Sequence, residues 1–246
     1  MLNLIRSEVY RLMRSKLYYG LAAVSVFLVM AAAGVLQYFR FKESTFRYGT
    51  RIFYYSNVLA MTSLIIILCL LVVSILTQKI QPKTCAAVSF GYSRGAVFWS
   101  KLITLSLGVV IMAAVILSAT ILSGNVIFDL VNNSTLSQFS IALINLLPII
   151  ASAFILAYVL GINGVPEMLN LLVLLFIYDI LGSLIGRIST LKTISKWTPS
   201  SLLNNNLVHY MSGSAYFDVK CWMLGLMIIF VSLIIGLTIF KKKDLS

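Results

Sequence analysis

Six apolar runs, each long enough to cross a lipid bilayer, constrain the fold of this chain more than any other feature of its sequence. A transmembrane helix needs about 20 apolar residues to span about 30 Å of hydrocarbon. The runs are continuously apolar, whereas the strands of a membrane barrel alternate in polarity over about 10 residues. The sequence therefore predicts an all-α polytopic membrane protein with six transmembrane helices. The predicted spans cover residues 18–39, 56–77, 102–123, 139–160, 168–186 and 222–240.

Little sequence remains outside these runs, so residues 1–246 are expected to form a single transmembrane domain. The chain is 60% hydrophobic and 11% charged, a composition that soluble globular domains do not have. Its basic N-terminus followed by an apolar run resembles a secretion signal. However, the run continues to Phe39, beyond the length of a typical signal core. The first run is therefore expected to remain as an uncleaved span.

The first 17 residues are expected to form an amphipathic helix on the inner membrane surface. Arg6, Arg11 and Arg14 lie on its polar face, and Glu8 can pair with Arg11 at i+3. This helix either anchors the chain to lipid or acts as a lever that transmits motion from a cytoplasmic partner. Its apolar residues recur at helical spacing, and they are Leu2, Ile5, Val9, Leu12 and Met13.

Basic residues near the span ends predict the orientation of the chain. With the N-terminus inside, the inner segments carry eleven Lys and Arg residues and the outer loops carry eight. This bias is small, but the N-terminal basic cluster and Lys241–Lys243 fall on the same side for any even number of spans. The sequence therefore predicts that both termini are cytoplasmic.

The inner loop at residues 78–101 is a basic island between two apolar runs. It contains Lys79, Lys83, Arg94 and Lys101 but no acidic residue, and Pro and Gly residues punctuate it. A compact basic loop of this kind is more typical of a docking surface for a cytoplasmic partner than of a plain turn.

The net charge of +12 has two interpretations. Basic residues that flank spans anchor them against anionic lipid, and basic proteins also bind nucleic acid. The charges are spread over both sides of the membrane, so the lipid bilayer is the expected partner and nucleic acid is not.

Two outer loops carry recognisable patterns. Residues 40–55 interleave basic and aromatic side chains, which indicates an interfacial belt beside a membrane. Residues 187–221 are long for a connection, and Pro199 with Ser200 as a cap predicts a short helix from Ser200. His209 has no Cys or acid clustered beside it in the sequence, so no ligand or base role is expected. The predicted apolar stripe of this helix comprises Leu203, Leu207 and Met211.

Few polar groups interrupt the spans. Asp179 lies in the fifth run, where a carboxylate is costly and faces either a cavity or a packing partner. Gly182 and Gly186 form a GxxxG pattern that permits close helix approach. Asn145 and Pro148 predict a kink in the fourth span. These five residues are the predicted transport-path or helix-packing positions.

The sequence contains no motif for chemistry of its own. It has neither GxxxxGK[ST] for nucleotide phosphates nor HExxH for zinc, and no paired carboxylates lie within the spans. Energy for vectorial transport would therefore come from a partner or from an ion gradient. Gradient-driven carriers usually need several buried ionisable groups and repeated, broken helices, so a partner is the better hypothesis.

The layout of an amphipathic helix, two spans, a basic loop and four more spans resembles the membrane subunit of ABC-2 type exporters. Gly91–Lys101, with the sequence GYSRGAVFWSK, is similar to the family's G-x-S-R-x-x-x-F-x-x-K stretch. Asn3–Lys16 resembles the family's opening helix, and Trp197–Leu202 resembles an outer-loop stretch of the small bacitracin- and lantibiotic-immunity-like subfamily. Members often carry an acid near the start of the coupling loop, where this chain has Gln78 and Lys79.

The resemblance implies that two six-span subunits pair, either two copies of this chain or this chain and a paralogue. Each would dock on a separate cytoplasmic ABC ATPase, which would bind ATP and Mg²⁺, whereas this chain would bind no cofactor. A coupling helix is implied at residues 82–90. The residues implied for the ATPase contact are Lys83, Cys85, Val88, Phe90 and Arg94.

In small family members of Gram-positive bacteria the cargo is often an amphipathic peptide. The immunity type expels lantibiotics or bacitracin-like agents, and a related type exports phenol-soluble modulins. The resemblance therefore implies a transport subunit of a bacterial cell membrane, without a catalytic site. Two alternatives stay open: a carrier driven by an ion gradient through Asp179, and a membrane-embedded enzyme or assembly factor.

Overall fold

The computed structural model describes residues 2–43, 46–77, 87, 89–128, 133–188 and 192–242. These residues form helices and connecting turns, with no strand among them. Gln78, Lys79, Lys83, Cys85 and Val88, on which part of the predicted coupling loop rests, lie outside the described residues. The helices are α1 Leu2–Met13, α2 Lys16–Lys42, α3 Arg51–Ala60, α4 Thr62–Thr77, α5 Arg94–Ile127, α6 Asn133–Ile162, α7 Glu167–Gly186, α8 Lys192–Ser195, α9 Pro199–Met211 and α10 Val219–Lys242.

The all-α class is confirmed for the described residues, and their long apolar helices are those expected of a membrane protein. Within the described residues, five helices are long and apolar enough to cross a membrane, and a sixth span results if α3 and α4 count as one. The helices extend beyond the apolar runs that predicted them. With 34 residues, α5 is about 50 Å long, so its first turns project past a hydrocarbon layer of about 30 Å.

The second predicted span is bent. The sequence predicted one continuous helix over residues 56–77, but α3 and α4 meet at Met61 at an angle of 50°. Neither Gly nor Pro marks this bend. Polar side chains compete for backbone carbonyls beside it: the Asn57 amide donates to Phe53 O at 3.0 Å, and the Thr62 hydroxyl donates to Leu59 O at 3.1 Å.

The fifth span contains a wide turn that the sequence did not indicate. Residues Phe176–Ile180 of α7 form a π-helical turn, with Leu181 N donating to Phe176 O. The Tyr178 hydroxyl points inward and lies 2.7 Å from the Ser152 hydroxyl of α6. Asp179 follows it on the exposed side. Two neighbouring residues of this π turn thus point in different directions: Tyr178 into the bundle and Asp179 out of it.

Helix α6 lies at the centre of the bundle and continues as one helix through Pro148. Helix α10 packs closely against it because two glycines bring the backbones together. A Cβ atom on Gly225 would lie 2.5 Å from Pro148 O, and one on Gly236 would lie 2.5 Å from a Val159 methyl group. The bundle therefore depends on small residues at this contact, as membrane helix pairs commonly do.

The N-terminal helix is amphipathic but packs differently from the predicted arrangement. Its buried residues are Glu8 and Leu12, and it contacts α5 and α4. Arg11, predicted to face away with the other arginines, is partly buried against α4. Leu2, predicted on the apolar face, is 73% exposed. Glu8 faces inward because it pairs with Lys101 on α5, a contact that hydrophobic periodicity cannot show.

The aromatic residues at positions 40–55 divide into two groups. Phe41 and Tyr48 are exposed, as expected for an interfacial belt, but Tyr54 and Tyr55 are fully buried and the belt interpretation is wrong for them. The Tyr55 ring stacks on Phe139 with centroids 4.3 Å apart. These tyrosines belong to a second apolar core, whose other members are Ala33, Leu59, Phe128, Phe139, Ala142 and Tyr210.

The short helix predicted in the last long loop is present as α9, but its buried face is shifted by one residue. It begins with Thr198 as N-cap and Pro199 in the first turn, instead of Ser200 as cap. Met211, the end of the predicted stripe, is 52% exposed. The shift occurs because an asparagine at the centre of this face bonds to α6. The buried residues are Pro199, Leu202, Asn206 and Tyr210.

Candidate functional site

A cluster of three charged side chains joins α1, α4 and α5 at one end of the bundle. Lys101 Nζ lies 3.3 Å from Glu8 Oε1, and Arg11 Nη1 lies 3.1 Å from Glu8 Oε2. Arg11 also donates to Leu76 O at 3.0 Å, one residue before the end of α4. Lys101 is 1% exposed. We call Glu8, Arg11 and Lys101 the α1-end cluster.

The start of α5 positions this cluster. Gly91 has a positive φ of 87°, which favours glycine, and the chain turns there before the helix. Ser93 caps α5 by accepting a hydrogen bond from Ala96 N at 3.2 Å. Lys101 lies two turns further along and points into the protein. The sequence instead predicts Lys101 in the inner loop at residues 78–101, because the apolar run begins at residue 102.

The same stretch is tied to the last helix. Arg94 Nη1 donates to Lys241 O at 2.8 Å, near the C-terminal end of α10. The Phe98 ring lies 5.9 Å from the Phe240 ring, and Phe98 O accepts a 2.6 Å hydrogen bond from the Tyr158 hydroxyl of α6. Gly91–Lys101 is thus a junction of α1, α5, α6 and α10. The guanidinium of Arg94, assigned to the ATPase by resemblance, bonds within this chain.

Among the described residues that the resemblance implies for an ATPase contact, Phe90 is the one with a largely exposed side chain. Its side chain is 82% exposed, immediately before the Gly91 turn. An exposed aromatic ring of this kind is suited to insertion into an apolar groove. Within five residues, the chain thus has an exposed ring at Phe90 and an internally bonded guanidinium at Arg94.

A second polar site lies on the side of the bundle, about halfway along its helices. There Ser63 of α4 donates to Asp179 Oδ2 of α7 at 3.3 Å. Asp179 is exposed and lies in the π turn, and Ser63 lies two residues after the bend at Met61. Helix α7 has 20 residues and is about 30 Å long, which places Asp179 about 18 Å from its start. The pair therefore lies near the middle of the apolar layer.

An exposed carboxylate at this depth is chemically unusual. Ionisable side chains within membrane spans are costly in contact with lipid and face a water-filled cavity or a partner. Two irregular helix segments adjoin the carboxylate, and such segments occur where the backbone lines a cavity or is covered by protein. The Asp179–Ser63 pair can accept hydrogen bonds or bind a cation.

The GxxxG glycines of α7 pack against residues 195–200 of the same chain. A Cβ atom on Gly182 would collide with the hydroxyls of Ser200 and Thr198, and one on Gly186 would lie 3.1 Å from the Ser195 hydroxyl. Ser195 also donates to Gly182 O at 3.2 Å. The close approach that this pattern permits is therefore used within one chain.

Asn145 joins α6 to α9 and to the segment before α10, at the end of the bundle opposite the α1-end cluster. Its amide donates to Asn206 Oδ1 at 3.0 Å and to Tyr216 O at 2.7 Å, and its oxygen accepts from Asp218 N at 2.9 Å. The prediction that Asn145 serves a transport path or packing could not reveal these partners, because they lie more than 60 residues away in the chain.

His209 lines a small hollow beside these residues together with Asp218, an acid that sequence spacing did not place near it. Its ring packs edge-on against Tyr216 at 4.9 Å. Nearby on α9, burial raises the pKa of the Tyr210 phenol, which therefore stays protonated at neutral pH. Across the described part of the chain, no group of three or more His, Cys, Asp or Glu side chains is placed to hold a metal ion.

Comparison with known proteins adds no assignment. No protein-family model matches the chain, and no curated protein matches it significantly.

Proposed function

We propose that this chain is the membrane-spanning subunit of an ATP-driven exporter of the ABC-2 type, which pairs with a separate cytoplasmic ATPase and expels amphipathic peptides. Both termini would be cytoplasmic, and ATP and Mg²⁺ would bind to the ATPase. The observation that carries this proposal is the junction at Gly91–Lys101, where one short segment contacts α1, α6 and α10.

The junction supports a coupling role because it contacts several helices at once. A push on the loop before Gly91 would reach α5 directly and α10 through the Arg94–Lys241 hydrogen bond. It would reach α1 through the Lys101–Glu8 ion pair. Because Arg11 bonds to the end of α4, both helices that flank the loop would move together. This arrangement fits transfer of work from a cytoplasmic partner into several spans.

Phe90 is the proposed point of contact with the ATPase. It is 82% exposed, whereas Arg94 bonds to Lys241 O and serves the junction. Lys83 would supply charge to the same contact, with Cys85 and Val88 completing its apolar part. Phe90 would thus be a hot spot of the kind that dominates protein interfaces.

A second membrane subunit is proposed to complete the transport path. Asp179 and Ser63 face outward from this chain at membrane depth, and lipid is an unfavourable environment for them. A second copy or a paralogue facing this side would enclose the pair in a path between the two subunits. Gly182 and Gly186 do not provide that contact, since Ser195, Thr198 and Ser200 cover them.

The experiment is a comparison of Phe90→Asp with Phe41→Asp. Both rings are similarly exposed, at 82% and 80%, but Phe41 ends α2 on the opposite side of the proposed membrane. The tagged chain is purified from membranes of its host, and co-purifying ATP-binding subunits are identified by mass spectrometry. We expect Phe90→Asp to lose an ATPase that wild type and Phe41→Asp retain. If wild type recovers no ATPase, the proposal is rejected.

Asp179 favours one alternative, a carrier driven by an ion gradient. Such a carrier would transport in proteoliposomes without any ATPase, and Asp179→Asn would abolish this transport. The exporter predicts no transport from the chain alone under any imposed pH or sodium gradient.

A further inference from the structure

We propose that Asp179 and Ser63 form a recognition site for a cationic group, an ammonium or a guanidinium, carried by an amphipathic molecule. This inference rests on the proposed export function and assigns its cargo a charge. The carboxylate would bind the cation, and the Ser63 hydroxyl would orient the carboxylate through its 3.3 Å hydrogen bond. Asp179 is thus the binding residue and Ser63 a positioning residue.

The first argument is that the two helices of the site provide no cation to pair with the Asp179 carboxylate. Helices α4 and α7, which carry Ser63 and Asp179, contain no Lys or Arg. Asp179 and Glu167 are the acids of α7, and Glu167 lies in its first turn at the edge of the apolar layer. A carboxylate in a low-dielectric layer gains most from a cation in direct contact. The chain supplies none on these two helices, so the cation comes from outside them.

The second argument is the backbone around the carboxylate. In a π turn the hydrogen bonds run from residue i to i+5, and such turns are frequent at functional sites. Across from it, α3 and α4 bend by 50° at Met61. In transporters, interrupted helices at the midplane offer backbone carbonyl groups to cations. Two interruptions meeting at one carboxylate therefore favour a binding site over a simple packing contact.

The third argument is the apolar surface that surrounds the polar pair. Leu64 on α4 and Phe176 and Ile180 on α7 are 48%, 46% and 45% exposed. A ligand that seats its charge on Asp179 would rest its body on these side chains. The site thus fits an amphipathic cation and is poorly suited to a small hydrated ion, which would leave the apolar surface uncovered.

The same chemistry could come from a peptide or from an aminolipid. We therefore propose to measure binding to the full chain in neutral detergent micelles, without the ATPase. The probe is a fluorescent synthetic amphipathic peptide of leucine and lysine, and its control is the same peptide with every lysine acetylated. Competition by phosphatidylethanolamine, with phosphatidylcholine as control, identifies an aminolipid occupant.

We expect Asp179→Asn to weaken binding of the lysine peptide about tenfold, the loss of one charge-assisted contact. Binding of the acetylated peptide should stay unchanged. Asp179→Glu should restore most of the affinity, and Ser63→Ala should weaken it about threefold. Glu167→Gln is the matched control, because it removes the same charge from the same helix, and it should bind as wild type does.

Several results would overturn the site. Equal affinity of wild type and Asp179→Asn, or an equal loss for both peptides, would reject cation recognition. The oligomeric state is measured in parallel by light scattering, and a loss of binding that follows subunit dissociation would assign Asp179 to the subunit interface instead. Since the ATPase is absent from this assay, rejection here leaves the co-purification test of the export function intact.

Discussion

Two carboxylates of this chain, Glu8 and Asp179, have opposite environments. Glu8 is 9% exposed and lies within 3.3 Å of both Lys101 and Arg11. Asp179 is exposed in the middle of a span and accepts one hydrogen bond, from Ser63. A buried carboxylate that pairs with basic side chains, as Glu8 does, serves to hold helices together. A charge that is open at membrane depth is retained at a cost and is therefore the stronger candidate for function.

The largest effect is expected from Glu8→Gln. This change leaves the ammonium group of Lys101 buried without its carboxylate, and breaking a buried pair in this way costs about 3–5 kcal/mol. The free energy of unfolding should fall by that amount, as measured by denaturant titration in mixed micelles. The double variant Glu8→Gln/Lys101→Met should recover most of the loss, because it also removes the buried ammonium group that Glu8 neutralises.

These two variants test whether Glu8 stabilises the fold by neutralising Lys101. An unchanged unfolding free energy for Glu8→Gln would show that Glu8 is not required to neutralise Lys101. A double variant as unstable as the single one would show that the loss arises from packing instead of charge.

A smaller effect is expected from Asn145→Leu, at the opposite end of the bundle. The change removes hydrogen bonds to Asn206, Tyr216 and Asp218, and it leaves a buried polar partner on α9 unsatisfied. The expected loss is about 2–3 kcal/mol. Asn205→Leu is the control, since Asn205 lies next to Asn206 but is exposed. Similar stability of the two variants would contradict the role of Asn145 as a structural hub.

Arg94→Glu is expected to have a smaller effect on stability and a large effect on transport. Loss of the Arg94–Lys241 hydrogen bond, and of a positive charge near the C-terminal end of α10, should cost about 1 kcal/mol. In the proposed exporter the variant should also lose transport, because the junction no longer moves α10. Insertion into the membrane should be normal. Unimpaired ATP-dependent transport by Arg94→Glu would show that this link does not carry the coupling motion.

Local patterns predicted most of the architecture. Continuous apolar runs located the spans, and Pro199 located α9 to within one residue at its start. They did not predict contacts between distant residues. Lys101 and Glu8 are far apart in sequence, and their pairing turns Glu8 of α1 towards α5. The bend at Met61 also had no Gly or Pro to mark it, since it coincides with polar side chains that bond to carbonyls.

The candidate site was predicted in part. Asp179 was identified because a carboxylate within an apolar run is costly, an argument that needs no partner. Ser63 could not be identified, since serines in membrane helices commonly bond to their own backbone, as Ser74 and Ser152 do here. The π turn likewise had no sequence signal. A single polar residue therefore located the site, and the structure supplied its second residue and its two irregular helices.

The smallest effect on stability is expected from Asp179→Asn, and this expectation completes the comparison with Glu8. The asparagine oxygen can still accept the hydrogen bond from Ser63, and no buried cation loses its partner. The unfolding free energy should change by less than about 0.5 kcal/mol, as for a surface substitution. The same titration as for Glu8→Gln measures it, with Glu167→Gln as the matched control. A loss comparable to that of Glu8→Gln would make Asp179 a structural residue. A small change combined with weaker binding of the lysine peptide would establish that the cell keeps this exposed charge for recognition.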